Sequence, residues 1–106
     1  MQLEEVRVVG LPPSKKIELN NVLDLHGESA SSSIKKLETF LELHQNDIIR
    51  SSETSRQVTI ITGQGHHSRN RVPVIKPLVE EYLTKNRYEF RHQVNNPGAL
   101  IVTLLR

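Results

Sequence analysis

Two short segments hold most of the side chains able to handle protons or phosphate: Leu23-Asp24-Leu25-His26-Gly27 and Thr62-Gly63-Gln64-Gly65-His66-His67-Ser68. An aspartate two residues before a histidine on an extended chain shares its face, so the carboxylate can orient the imidazole, hold it charged or help bind a cation. The second segment offers two glycines that tolerate positive φ and can turn backbone N–H groups toward an anion, followed by two imidazoles and a hydroxyl. Arg69, Arg71 and Lys76 come next, and beside a helix N-terminus they would add to a field that attracts phosphate. Plainer roles are open to the same residues. A strand-end aspartate can bond neighbouring backbone, a turn histidine can be partly buried, and a lone G-x-G often serves turn geometry alone.

Phosphodiester chemistry suits this set. With RNA, one imidazole would take the proton of the 2′-OH while another protonates the leaving oxygen, and Arg69, Lys76 or loop N–H groups would stabilise the phosphorane. That route needs no metal or other cofactor. DNA lacks the 2′-OH and needs an activated water, which makes Mg2+ or Mn2+ near Asp24 the expected cofactor for DNA nicking. Asp24, His26 and His67 could in principle coordinate such an ion, but H-E-x-x-H spacing and cysteine are both absent, which argues against a preformed zinc site and leaves the metal ligands unassigned. Ser68 as a hydrolase nucleophile lacks the G-x-S-x-G elbow. No Gly-Lys-Ser/Thr ending makes a P-loop, and no third glycine makes a dinucleotide fold.

The elements around these segments decide whether they meet. Val22 to His26 reads as a strand ending at Gly27, with Leu23 and Leu25 on one face and Asp24 and His26 on the other. Ser29 is the expected N-cap of a helix striped by Ile34, Leu37, Phe40, Leu41, His44 and Ile48. Arg50 to Ser55 reads as a loop, and Val58 to Thr62 as a buried central strand. A second helix is expected from Pro73, with Pro77 distorting its start. Strands near Tyr88 to Val94 and Leu100 to Leu105 should form a hairpin around Asn95-Asn96-Pro97-Gly98. The order is βαβαββ. A helix between the first two strands makes them parallel, and ligand sites of parallel strands gather at their C-terminal edge, where both segments would surface. Residues 1–20 are expected to be an arm or linker, and 21–106 the domain. His44 and His92 fall on helix and strand patterns and are expected to be structural.

Composition narrows the function. The 106 residues suit one domain, and the absence of cysteine removes disulfides and thiol nucleophiles and fits a reducing compartment. A formal charge of +2 does not by itself mark a nucleic-acid binder. Its distribution suggests a basic side built from Lys15, Lys16, Lys35, Lys36, Arg69, Arg71, Lys76, Arg87 and Arg91. With two Tyr, two Phe and no Trp, stacking platforms for bases are missing, so nucleic-acid contact should rest on phosphates and shape. The apolar runs are too short to span a bilayer, and the expected protein is cytoplasmic, with the nucleus as the alternative.

From Val22 to Arg106 the chain resembles the Smr (small MutS-related) domain, in its eukaryotic form. The marks are Leu23-Asp24-Leu25-His26-Gly27, Ile60-Ile61-Thr62-Gly63-Gln64-Gly65-His66-His67-Ser68, Val72-Pro73-Val74-Ile75-Lys76, and Gly98 before the apolar strand Ala99 to Leu105. The resemblance implies an α/β two-layer sandwich, βαβαββ with a mixed four-stranded sheet and two helices, similar to the C-terminal domain of translation initiation factor three. It also implies an endonuclease acting on RNA or DNA, with the ribosome as a further partner and a larger multidomain protein as a common setting. On the matching positions Asp24, His26 and His67 are the expected catalytic residues, and Gly63, Gln64, Gly65, His66, Ser68, Arg69, Arg71 and Lys76 the expected substrate contacts. Two positions depart from the family pattern: Glu28 stands where an apolar residue is usual, and Gln64 where a basic one is common. RNA is favoured over DNA as substrate, and the domain is expected to be a monomer. The alternatives are a non-catalytic nucleic-acid or ribosome-binding module using the same cleft, and a protein-interaction domain whose histidines are incidental.

Overall fold

A computed structural model describes residues 19–63 and 75–106. The elements run β1 (Val22–Asp24), α1 (Ala30–Ser51), β2 (Ser55–Ile61), α2 (Ile75–Lys85), β3 (Glu89–Gln93) and β4 (Asn96–Leu105). They build a four-stranded sheet in the order β1-β2-β4-β3. β1 and β2 are parallel, pairing Val22 with Thr59 and Asp24 with Ile61, as the intervening α1 demands. β4 runs antiparallel to both β2 and β3. The two-layer α/β architecture expected from the sequence is the one present.

Alternation along the strands separates the sheet faces. Leu25, Val58, Ile60, Leu100, Val102 and Leu104 share a core with Leu37, Leu41 and Ile48 of α1 and Val79 and Leu83 of α2. Both helices therefore cover one face, and residues of opposite parity, including Asp24, lie on the other. β1 stops at Asp24, two residues short of the strand expected to reach His26, and the fully buried Leu25 fixes both the strand end and the turn that carries His26 to the core. Ser29 caps α1 as expected, its hydroxyl accepting from the Ser32 N–H at 3.2 Å.

Three further boundaries differ from expectation. α1 continues through Arg50 and Ser51 and stops at Ser52 with φ 64°, a left-handed cap. β2 then starts at Ser55 instead of Val58, because Arg56 points inward and is satisfied there. Its guanidinium bonds Glu53, Asp47 Oδ2 at 2.9 Å and His44 Nδ1 at 2.8 Å. The hairpin turn is Val94-Asn95, with Asn95 at φ 61°, and Asn96, Pro97 and Gly98 already belong to β4. Asn takes the left-handed conformation more readily than most residues. Between His92 and Gln93 the β4 partner shifts from Leu100 to Asn96, so Pro97, which has no N–H to donate, sits in an irregular stretch beyond the end of β2. The described part of α2 has Pro77 as its third residue. The expected helix start at Pro73 lies outside the described residues, as does most of the N-terminal arm.

His44 is structural, as its helix position implied. It is 1% exposed; its Nε2 donates to the Asn20 carbonyl at 2.9 Å and its Nδ1 accepts from Arg56. A carbonyl only accepts and a guanidinium only donates, so these partners select the neutral Nε2–H tautomer. Replacing Arg56 with methionine would leave the buried Nδ1 unpaired and Asp47 and Glu53 facing each other without their cation. We expect a loss of about 1–3 kcal/mol of stability, read as a lower urea midpoint with an unchanged m-value.

Candidate active site

β1 ends at Asp24, and the Leu25 N–H continues its pairing by donating to the Ile61 carbonyl at 2.7 Å. The chain then turns through Leu25-His26-Gly27-Glu28, closed by the Glu28 N–H on the Leu25 carbonyl at 3.1 Å. Gly27, third in this turn, has φ 79°, a value a type II turn requires and glycine adopts without strain. His26 is the second residue of the turn and is thrust out of the sheet edge just before the N-cap of α1.

The Asp24 carboxylate accepts twice from His26, at 2.6 Å from ring Nδ1 and at 3.1 Å from the backbone N–H. Since the carboxylate is an acceptor, the proton lies on Nδ1, and Nε2 has no bond among the described residues. Both side chains are accessible, 71% for His26 and 49% for Asp24, so a substrate can reach the ring. The hydrogen bond from His26 holds the Asp24 carboxyl below the usual carboxylate range. The same bond, reinforced by the charge of Asp24, pushes the His26 imidazolium above its ordinary value. The pair can present a positively charged Nε2–H to an oxyanion or a leaving oxygen, and can take that proton back.

The second segment reaches the first at Gly63. Its φ is 82°, and a Cβ added there would come 3.3 Å from the Cβ of His26. The exit of β2 is held by one carbonyl: Gly98 of β4 accepts from the N–H groups of Thr62 at 2.8 Å and Gly63 at 3.2 Å. The Thr62 hydroxyl stands 3.3 Å from the same oxygen. The β4 irregularity at Pro97 and Gly98 thus turns a carbonyl toward the glycine loop. Gly98 entered the sequence reading as part of the expected hairpin turn and as a family mark, and nothing local to it signals a bond to residues 62 and 63. Gly63→Ala would be strained at this φ and crowd His26; we expect a stability loss of about 1 kcal/mol or somewhat more, together with a shift of the His26 ring resonances in an NMR spectrum.

Asp24, His26 and Gly63 are therefore brought together. Lys76 stands half-buried near the described start of α2 and, among the described residues, bonds neither Asp24 nor His26. Gln64, Gly65, His66, His67, Ser68, Arg69 and Arg71 lie outside the described residues. The expected basic side is partly neutralised: Lys36 pairs with Glu28 at 2.8 Å. His92, expected to be structural, lies on β3 and links to Glu80 of α2 at 2.7 Å. Among the described residues no group of three or more His, Asp or Glu side chains is placed to hold a metal ion, and no helix is long and apolar enough to cross a membrane.

Comparison with known proteins places this geometry. The Smr domain family model matches residues 23–104, from the strand before Asp24 to the end of β4. NEDD4-binding protein 2 of Homo sapiens is 36% identical over 84 residues, which make up 79% of this chain and 5% of that protein. The chain thus spans a small fraction of the length of the relative it matches. Among solved structures, the B3BP Smr domain superposes with a TM-score of 0.66 at 34% identity, covering 81% of this chain and 78% of that one. The SMR domain of NEDD4-binding protein 2 gives 0.67 at 32% identity, covering 88% and 93%. The human small-MutS related domain gives 0.60 at 32% identity, covering 79% and 99%. With the profile spanning both the Asp24–His26 turn and the glycine exit of β2, and the folds agreeing, the chain belongs to the Smr domain family, which is associated with nuclease activity and nucleic-acid binding.

Proposed function

We propose that the domain is an endonuclease that cleaves RNA by transesterification, with His26 as the general acid. The observation that carries this reading is the 2.6 Å bond between Asp24 and His26 Nδ1 on an accessible turn. It commits one ring nitrogen to the carboxylate and leaves Nε2 for the substrate. The bond and charge of Asp24 push His26 above its ordinary value and so favour the protonated ring, the state in which it can give a proton to the 5′-oxygen leaving group. His67 is the matching general base for the 2′-OH, and loop N–H groups with Arg69, Arg71 and Lys76 meet the phosphate oxygens. In this scheme the 2′-oxygen bonds phosphorus as the P–O5′ bond breaks, giving a 2′,3′-cyclic phosphate and a 5′-hydroxyl. No cofactor enters.

Substrate class is tested by incubating the protein with labelled stem-loop RNA and with supercoiled DNA, each in EDTA and in Mg2+ or Mn2+. RNA cleavage in EDTA supports the proposal. Cleavage of DNA alone, dependent on the added ion, would replace it with a hydrolytic route, and salt-sensitive binding without cleavage would leave a binding module for RNA, DNA or the ribosome.

A further inference from the structure

Both carboxylate oxygens of Glu28 are engaged. Its Oε1 accepts from the Ser32 hydroxyl at 2.8 Å and its Oε2 from Lys36 Nζ at 2.8 Å, while its N–H closes the turn that carries His26. Ser32 and Lys36 lie in the first and second turns of α1. An apolar residue at position 28 could close the turn through its N–H but could not fasten it to the helix in this way.

We propose that Glu28 is a positioning residue for His26: gripped by Ser32 and Lys36, it clamps the Leu25–Glu28 turn onto α1 and so fixes the direction in which the imidazole presents Nε2. The need for a clamp follows from the turn. Leu25 anchors the start of the turn in the core, but Gly27 meets nothing within 4 Å of where its Cβ would stand and His26 is exposed, so packing does little to restrain the part beyond Leu25. Asp24 bonds the ring and the His26 N–H, which orients the imidazole relative to β1; Glu28 ties the other end of the turn to the helix. Gly63 closes the site behind the His26 Cβ, leaving rotation of the turn as the motion to be stopped. Lys36 and Ser32 hold the Glu28 carboxyl below the usual range, so the clamp stays charged at neutral pH, and its charge adds to that of Asp24 in favouring the imidazolium. The catalytic part of this inference rests on the nuclease reading above, whereas the clamp itself does not.

The test compares Glu28→Leu with the double variant Ser32→Ala/Lys36→Met in the full chain. For each, kcat and KM on stem-loop RNA are measured beside the hydrogen exchange of the Glu28 amide by NMR. We expect Glu28→Leu to lower kcat about tenfold with KM within about twofold of wild type, because only the reacting geometry is loosened. The Glu28 amide should exchange faster while core amides keep their protection. The double variant should reproduce both effects, and combining it with Glu28→Leu should add little, since one clamp is broken either way. Wild-type kcat and wild-type amide exchange in Glu28→Leu would overturn the proposal. So would a Glu28→Leu defect that the double variant does not share. Should the wild-type protein cleave neither RNA nor DNA, the nuclease reading fails by itself, and amide exchange decides whether the clamp exists.

Discussion

His26→Ala is expected to cleave stem-loop RNA about 10²–10⁴-fold more slowly than wild type, the range a single general acid supplies. The fold should survive the change. His26 is 71% exposed and, among the described residues, its ring bonds only Asp24, whereas the turn is closed by backbone groups of Leu25 and Glu28 and anchored by the buried Leu25. The circular dichroism spectrum and thermal midpoint should therefore stay close to wild type. Binding should weaken less than cleavage, so that KM moves little beside kcat. An unfolded His26→Ala protein would instead mark the histidine as structural.

The second large effect belongs to Asp24→Asn and lies in the pH profile. The asparagine oxygen can still accept from Nδ1–H, so the tautomer is kept and the charge alone is lost. In the wild type the bond and charge of Asp24 raise His26 above its ordinary value. A general acid is active while protonated, so cleavage falls as pH rises through that raised value. Without the carboxylate charge His26 drops back, and the alkaline limb of kcat moves to lower pH. At neutral pH the rate should fall by about tenfold or more, and the loss should shrink on acidification. The same sign governs stability: the pair favours the folded state most when His26 is protonated and Asp24 ionised, and its contribution fades as pH rises through the folded-state value of His26. With both groups exposed to solvent, the midpoint of unfolding should change little. A kcat profile with the same alkaline limb in both proteins would show that the limb belongs to another group.

Local chemistry made much of this site legible in the sequence. Period two put Asp24 opposite Leu23 and Leu25, and the buried Leu25 fixes that parity; His26 lies past the strand end, in the turn, and meets Asp24 through the ring bond. The crossover rule made β1 and β2 parallel, and so brought Gly63 to the edge where His26 stands. Long-range pairing was not legible. β2 begins early because Arg56 finds partners on α1 and in the loop after it, at residues 44, 47 and 53, whereas the sequence shows only a charged residue in a polar stretch. The hairpin turns at Val94-Asn95, and Gly98, already in β4, bonds Thr62 and Gly63 at the exit of the neighbouring β2; in the sequence the Asn-Pro-Gly cluster reads as the turn itself. Lys36 and Glu28 were visible as charges of opposite sign eight positions apart, but their bond depends on the turn folding back along α1.

The transesterification claim is tested most directly by wild-type protein, in EDTA, acting on two stem-loop RNAs that differ by a single 2′-deoxy substitution at the cleaved nucleotide, with the product ends identified by mass spectrometry. The account predicts a 2′,3′-cyclic phosphate and a 5′-hydroxyl from the all-ribose RNA and no cleavage at the substituted position. Equal cleavage of both RNAs, leaving a 5′-phosphate, would contradict it.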